Sequence, residues 1–317
     1  MNQPDTTQLH QFLVDHFSLE ELKTLCFNLG VEYEDLGGEG RAGKARELVL
    51  LMKRQTRLSR LDELLLGARP EAYREKFGRF IHEKTGIQFI RIPAGPFLYG
   101  SKGYAFEEPQ RVIELPEFWI SRYPVTNAEF ARFVKVTKYQ TEAERVGWSY
   151  KLIDGELRSI KGANWRNPKG PESLTSLKNN HPVVHVDWKD TKAFCKWSGL
   201  SLPAEVQWEK AARGNDGRIW PWGNEQPTAQ HCNFNLNVGD TTEAGCYSPK
   251  GDSPYGCADM AGNVREWTGY QSFTLRGGSW ENTAQNIRSA FRLNDISLSS
   301  SDVVGFRVVE LLFESDF

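Results

Sequence analysis

Apolar residues recur at helical spacing through the first quarter of the chain. Leu9, Phe12 and Leu13 share one face. Leu22, Leu25, Cys26 and Leu29 repeat at intervals of three and four, as do Leu48, Val49 and Met52, then Leu61, Leu64 and Leu65. Ser18 followed by Glu21 is a capping box, in which hydroxyl and carboxylate each satisfy a backbone N–H at a helix start. Gly30 stands where a helix C-cap belongs. The pattern predicts a small all-α bundle over residues 1–68. Tyr73, Phe77, Phe80 and Ile81 predict one more helix, a connector over residues 69–86.

After Gly86 the period changes. "IQFIRIPAGPFLYGS" alternates and turns as strands and hairpins do. Helical spacing returns briefly at Phe130, Phe133 and Val134, behind a second capping box of Thr126 and Glu129, and again in "DTKAFCKWSG" and "PAEVQWEKAARG". From Gly214 onward the chain is rich in Gly, Asn, Ser and Trp with little regular period. Residues 87–317 therefore read as one α+β domain with much loop, its aromatic residues anchoring the irregular stretches.

Composition adds exclusions. The 317 residues carry 39 Lys and Arg against 41 Asp and Glu, a formal charge of −2, so no global basic field exists to hold nucleic acid or an anionic membrane. No apolar run reaches the roughly 18–20 residues of a membrane span. The first residues lack the basic start and apolar stretch of a signal peptide, which points to a cytoplasmic protein. Cys26, Cys195, Cys232, Cys246 and Cys257 are odd in number and form no C-x-x-C pair. Buried free thiols are the expectation, with a secreted disulfide framework as the alternative.

"GEGRAGKA" sets Gly38, Gly43 and Lys44 at the spacing of a nucleotide-binding loop. Ala45 stands where magnesium needs a hydroxyl, and no buried strand precedes the loop, so a Gly-rich turn into a helix is the better reading. The longer run "FSLEELKTLCFNLGVEYEDLGGEGRAGKARELVLLMKR" resembles the effector-associated domains of bacterial conflict and signalling systems. Those are death-like helical adaptors, and the resemblance implies an effector protein with a related helical domain as partner.

From residue 87 on, "IPAGPFLYGS", "ISRYPVTNAEFARF", "TEAERVGW", "GANWRNPKGP", "HPVVHVDWKDTKAFCKW", "LPAEVQWEKAARG", "WPWGNE", "SPYGCADMAGNVREW", "LRGGSW" and "GFRVV" together resemble the formylglycine-generating enzyme (sulfatase-modifying factor) family. The resemblance implies a loop-rich C-type lectin fold. It does not carry the activity over. The family's enzymes bind copper with two cysteines just after the G-G-S motif. Counted from Gly277-Gly278-Ser279, those places hold Asn282 and Ile287, and neither supplies the soft thiolate that Cu(I) needs. A sister branch oxidises thiols with a non-haem iron held by histidines. His10 and His16 are six apart and do not share a helical face, while His181 and His185 lie roughly 13 Å apart in an extended segment. Neither copper nor iron is expected. No serine sits in a G-x-S-x-G element.

A further branch of the same fold comprises the variable proteins of diversity-generating retroelements. In these the stretch between "RGGSW" and "GFRVV" is rewritten while its frame is kept. Residues 275–309 match that format, with Arg288, Ser289, Ala290 and Arg292 as an internal anchor. The resemblance marks Glu281, Thr283, Ala284, Gln285, Asn286, Phe291, Leu293, Asn294, Asp295 and Ile296 as candidate contacts for a protein ligand. Phe291, Leu293 and Ile296 would supply an apolar centre, with polar neighbours as rim. The alternative turns Phe291 and Ile296 inward. Glu281 and Gln285 cannot arise by adenine mutagenesis of an Asn codon, so both are constant or differently templated.

The resemblance also implies structural calcium at two loops, through Asn263, the Val264 carbonyl and Glu266, and through Asn233, the Phe234 carbonyl, Asn237 and the Gly239 carbonyl. Turn hydrogen bonding by the same asparagines is the alternative. The expectation overall is a non-catalytic recognition protein that couples ligand binding to an effector. A metal-dependent oxidoreductase with relocated ligands and an oligomerising adaptor remain as other classes.

Overall fold

A computed structural model describes residues 4–153, 156–173, 178–269, 274–294 and 300–310. Two compact units result, Met1–Ile81 and His82–Phe317. Among the described residues no helix is long and apolar enough to cross a membrane.

The first unit is helical: α1 (Thr6–His16), α2 (Leu19–Leu29), α3 (Gly40–Arg54), α4 (Leu58–Ala68) and α5 (Pro70–Phe77), with a short strand, β1 (Arg79–Ile81), after them. The Ser18–Glu21 box caps α2, and Gly30 ends it in the left-handed region at φ 66°. A second box, Asp5 with Gln8, starts α1. The anticipated faces of Leu9, Phe12, Leu13, Leu22, Leu25, Leu48 and Leu61 merge into one core. Residues 69–86 do not form a separate connector. Tyr73 and Phe77 of α5 sit in this same core, stacked edge-on and tilted against Phe12. The buried Asp62 carboxylate takes both the Tyr73 hydroxyl and, at 2.8 Å, the Arg79 guanidinium. The Gly-rich stretch is a turn: a Cβ on Gly38 would come within 2.6 Å of the Gly43 backbone. Lys44 donates to the carbonyls of Leu36 and Tyr33 rather than reaching into a phosphate loop.

The second unit mixes short strands and helices. Strands β2 (Gln88–Ile92), β5 (Phe118–Ser121) and β12 (Val309–Glu310) pair antiparallel in that order. Strands β3 (Gly95–Tyr99) and β4 (Arg111–Leu115) form one hairpin, β6 (Trp148–Ile153) and β7 (Glu156–Lys161) another. A sheet of order β10 (Arg292–Asn294), β9 (Thr274–Arg276), β8 (Arg265–Trp267), β11 (Val304–Phe306) carries the candidate region, with β11 parallel to β8 and the other pairs antiparallel. Helices α6 (Asn127–Thr137), α7 (Glu142–Val146), α8 (Trp188–Ser198) and α9 (Glu205–Arg213) pack around these sheets. Phe130, Phe133, Phe194 and Phe306 meet with ring centroids 5.3–6.4 Å apart, and Ile90, Ile120, Trp208, Met260 and Val309 form a neighbouring cluster. Residues 214–264 contain no helix or strand. They are held by backbone hydrogen bonds within turns and by side-chain amides.

Candidate functional site

Four buried arginines fix the frame of the candidate surface. Arg276, at the end of β9, donates to the carbonyls of Ser289, Ala290 and Phe291 at 2.9–3.0 Å and to Glu209 of α9 at 2.5 Å. Arg213 joins the same carboxylate at 2.8 Å. Arg288 forms a two-pronged pair with Glu107 at 2.6 and 2.8 Å and lies 3.5 Å over the Tyr104 ring. Arg307, after β11, pairs with both oxygens of Glu266 and donates to the carbonyls of Ser121 and Ala258. Such charges tolerate burial because each guanidinium finds several acceptors in fixed positions. Gly278, at φ 67°, is constrained by space as well, since a Cβ there would lie 2.6 Å from the Asn286 carbonyl oxygen.

Between these clamps the candidate residues divide. Thr283, Gln285, Leu293 and Asn294 are exposed, and Ala284, Asn286 and Phe291 are half-buried. Glu281 is less free than its place in the sequence suggests, because it pairs with Arg265 at 2.6 Å and both side chains are largely covered. Asp295 and Ile296 lie outside the described residues. Leu293 and Asn294 sit on β10, at the end of its sheet.

The two positions where the resemblance calls for cysteines are filled by residues with structural work. Asn282 accepts from the Ser279 amide at 3.0 Å and from Arg265 at 3.2 Å. Ile287 is fully buried against Trp220, Cys232 and Ala261. Burial holds the thiols protonated, pushing Cys26 up to about 11 and Cys195 up to about 12 and raising Cys232 and Cys257 as well. Cys246, the exposed one, is also raised by partial burial. His181 bonds Thr241, and the buried His185 bonds Ser149 and the Pro168 carbonyl. Desolvation lowers His185 to about 4, so it is neutral at ordinary pH.

Sequence reasoning missed the residues that surround this face. The Tyr104 hydroxyl donates to Gln285 at 3.0 Å, and Tyr104, Phe106 and Glu107 share one loop. The Ile219 carbonyl accepts from Ser289, and the Trp220 indole donates to the Ala284 carbonyl. The amides of Asn235 and Leu236 donate to the carbonyls of Asn282 and Trp280. Three loops are thus tied to the 280–289 segment. They carry exposed apolar side chains, among them Phe106 at 82% and Leu236 at 61% exposure, with Tyr104, Ile219 and Val238. Local sequence offered no signal for them beyond apolar residues in polar surroundings.

At Asn263, Val264 and Glu266, the first place expected to hold calcium, the side-chain oxygens already have partners within the chain. Both Glu266 oxygens are taken by Arg307 and by the Trp208 indole, and Asn263 exchanges two hydrogen bonds with the Thr242 backbone. A guanidinium already neutralises the carboxylate that a dication would need. At the second loop Asn237 closes a turn onto the Phe234 amide, the Phe234 carbonyl accepts from Asn237, and Gly239 is exposed. Asn233 Oδ1 is the oxygen left there without a partner among the described residues. Calcium takes about six to eight oxygens, and of the side-chain oxygens named for the two loops Asn233 Oδ1 is the one left unpartnered among the described residues. Among the described residues no group of three His, Cys, Asp or Glu is placed to hold a metal.

Comparison with known proteins accords with this geometry. Residues 76–312 match the family described as the sulfatase-modifying factor enzyme 1-like domain, and residues 9–70 match effector-associated domain 7. The inactive C-alpha-formylglycine-generating enzyme 2 of Bos taurus is 36% identical over 275 residues, covering 73% of this chain and 91% of that protein. The formylglycine-generating enzyme of Thermomonospora curvata is 40% identical over 213 residues, covering 56% and 69%. Relatives named as the enzyme and as an inactive form thus both align. Among solved structures, PvdO from Pseudomonas aeruginosa gives a TM-score of 0.59 at 24% identity, and Treponema denticola variable protein 1 gives 0.54 at 17%. Each alignment covers 73% of this chain and 97% of the other, and at these identities the likeness is one of fold. The α+β architecture, the ordered motifs and the match over residues 76–312 lead to one conclusion: the chain belongs to the sulfatase-modifying factor enzyme 1-like family.

Proposed function

We propose that this chain is a non-catalytic recognition protein whose second unit binds a protein ligand at the face around residues 283–294, and whose helical unit passes that event to an effector carrying a related helical domain. One observation carries the reading. An amide locked to Ser279 and Arg265 and a buried aliphatic residue occupy the two positions at which the family's oxidases hold cysteines. A copper thiolate pair has no place to form there. The same segment has a rigid frame and a separately exposed middle, the division that lets a contact face change without unfolding its scaffold. The matched effector-associated domain supports the coupling role, and the inactive relative supports the lack of catalysis.

The test has two arms. A cysteine peptide of the sulfatase type, incubated with the protein and copper or iron, should show no aldehyde by mass spectrometry and no thiol-dependent oxygen uptake. Either signal at stoichiometric metal would overturn the reading in favour of an oxidoreductase. Replacing Thr283, Gln285, Leu293 and Asn294 together should leave the melting temperature unchanged within about 2 °C, since exposed substitutions are near neutral. Collapse of the fold in that variant would count against an exchangeable face. The diversification reading predicts a near-copy of the segment encoding residues 275–309 beside a reverse transcriptase gene, differing mainly at adenines.

A further inference from the structure

The total charge of −2 hides an uneven distribution. On α6 the exposed side chains include Arg132 and Lys135, and Lys138 follows as the exposed C-cap. On α8 they are Lys189, Lys192 and Lys196. These positions recur at intervals of three or four, so each helix carries a cationic stripe roughly 10 Å long on its solvent side.

The two helices lie side by side. The rings of Phe130 and Phe194 stack at 6.0 Å, and both meet Phe306 edge-on, so the outer sides of α6 and α8 turn away from one shared core. Phe133 packs on Trp197 at 5.5 Å, while the Tyr139 hydroxyl, just past α6, donates to Asp190 near the start of α8. The helices therefore run antiparallel, with Arg132 near the Lys196 end and Lys138 near the Lys189 end. The turn before β2 ties the first of these ends together: Arg132 donates to the Thr85 carbonyl at 2.8 Å and Lys84 to the Trp197 carbonyl. Among the described residues none of the six cations forms an ion pair. The carboxylates of the same helices are held in capping boxes, Glu129 at α6 and Asp187 with Asp190 at α8. Glu83, next to Lys84, is exposed and subtracts one charge. Past α6 the face runs into an open groove lined by Lys135, Lys138, Gln140 and Arg166, where Glu144 is already paired with Arg166 at 3.1 Å.

We propose that this face binds double-stranded DNA through its phosphate backbone, without reading sequence. Like charges set this close repel one another, and a polyanion relieves that repulsion. Protein interfaces are depleted in lysine. Peripheral membrane helices turn apolar side chains outward, whereas Phe130, Phe133 and Phe194 are buried and, among the described large apolar side chains of the two helices, Val136 alone is exposed. Single strands stack their bases on open aromatic rings, and here Lys192 lies 5.5 Å over Trp188 and Lys84 5.1 Å over Trp197. A DNA duplex needs none of these features. It carries one charge per about 1.7 Å of axis, so roughly 10 Å of it presents about six, the number of cations on the face. Two helices side by side are too broad for a groove about 12 Å wide, and lysine lacks the planar fork that reads a base edge, so contact stays on phosphate. Screening limits each charge to about 8 Å at physiological salt, so the local excess sets the attraction and the total of −2 does not. The inference stands apart from the proposed recognition role, because it uses neither residues 283–294 nor the helical unit.

The experiment is fluorescence anisotropy of the full chain with two short labelled DNA duplexes of unrelated sequence. Both should bind equally, and log K against log salt should fall with a slope near −5, six cations at about −0.9 each. Replacing all three α8 lysines, as Lys189→Ala, Lys192→Ala and Lys196→Ala, should leave the melting temperature unchanged, weaken binding about tenfold or more and flatten the slope by about 3. If that variant does not fold, Lys135→Ala on α6 gives the same reading, with the slope flattened by about 1. Absence of binding at low salt, full affinity in the lysine variants or a preference for one duplex would each overturn the proposal. Tighter binding of duplex RNA, or capture by phosphatidylserine vesicles with no DNA bound, would overturn it too and reassign the face.

Discussion

Arg288 and Gln285 are three residues apart and belong to different parts of the molecule. Arg288 is buried, holds Glu107 with two hydrogen bonds and bonds the Gln285 carbonyl at 2.8 Å, while the Gln285 side chain is exposed and accepts from the Tyr104 hydroxyl. Removing one member of a buried pair leaves an uncompensated charge. Arg288→Ala is therefore expected to cost about 3–5 kcal/mol in urea unfolding. Gln285→Ala should stay within about 0.5 kcal/mol. Equal costs would mean that frame and face are not separable. The sequence pointed to Arg288 as an anchor through its motif, yet Glu107 lies 181 positions away and nothing local names it. Glu281 shows the converse: as a residue type it suits a polar rim, and only the fold places Arg265 beside it.

Capping boxes at the element scale were legible where Ser or Thr precedes Glu, as at Ser18 and Thr126. The box that starts α8 is built from two carboxylates, Asp187 and Asp190, and has a pH signature. Burial first, then the neighbouring Asp187, pushes Asp190 up to about 7, although it accepts from the Asp187 and Glu142 amides and the Tyr139 hydroxyl. A carboxyl raised in the folded state holds its proton longer than in the unfolded chain, where it titrates near 3.9. The stability it contributes is thus fully present below about pH 4 and lost as pH rises through about 7. Asp190→Asn removes this titration, so its melting temperature relative to the natural chain should rise steadily from pH 4 to pH 8. A difference that stays flat would remove Asp190 as the titrating group. The β6–β7 hairpin, in contrast, was not legible. Its strands are mostly exposed or half-buried on both faces and lack a clean alternation.

The whole molecule divides into two compact units. The core of the first is drawn from residues 9–77, and two clusters of the second from residues 90–309. Fragments 1–81 and 82–317 should each unfold cooperatively by circular dichroism, the smaller with a strongly helical spectrum. A fragment 1–81 without helical signal would show that its core depends on the rest of the chain. This division also explains the misplaced connector. Tyr73 and Phe77 carry helical spacing whichever body they pack against, so periodicity identifies α5 and cannot assign it.

Periodicity, caps, charge and ordered motifs were enough to determine the helical unit, the α+β class of the second unit, its family and the absence of cysteines at two decisive positions. These are properties of neighbours along the chain or of residue identity itself. Tertiary structure decided the rest: which candidate residues face outward, which loops frame them, that Glu266 serves Arg307 and the Trp208 indole, and that Asn127 and Trp280 both line one cavity. Those outcomes depend on groups dozens to nearly two hundred residues apart, brought together by burial that no local pattern encodes.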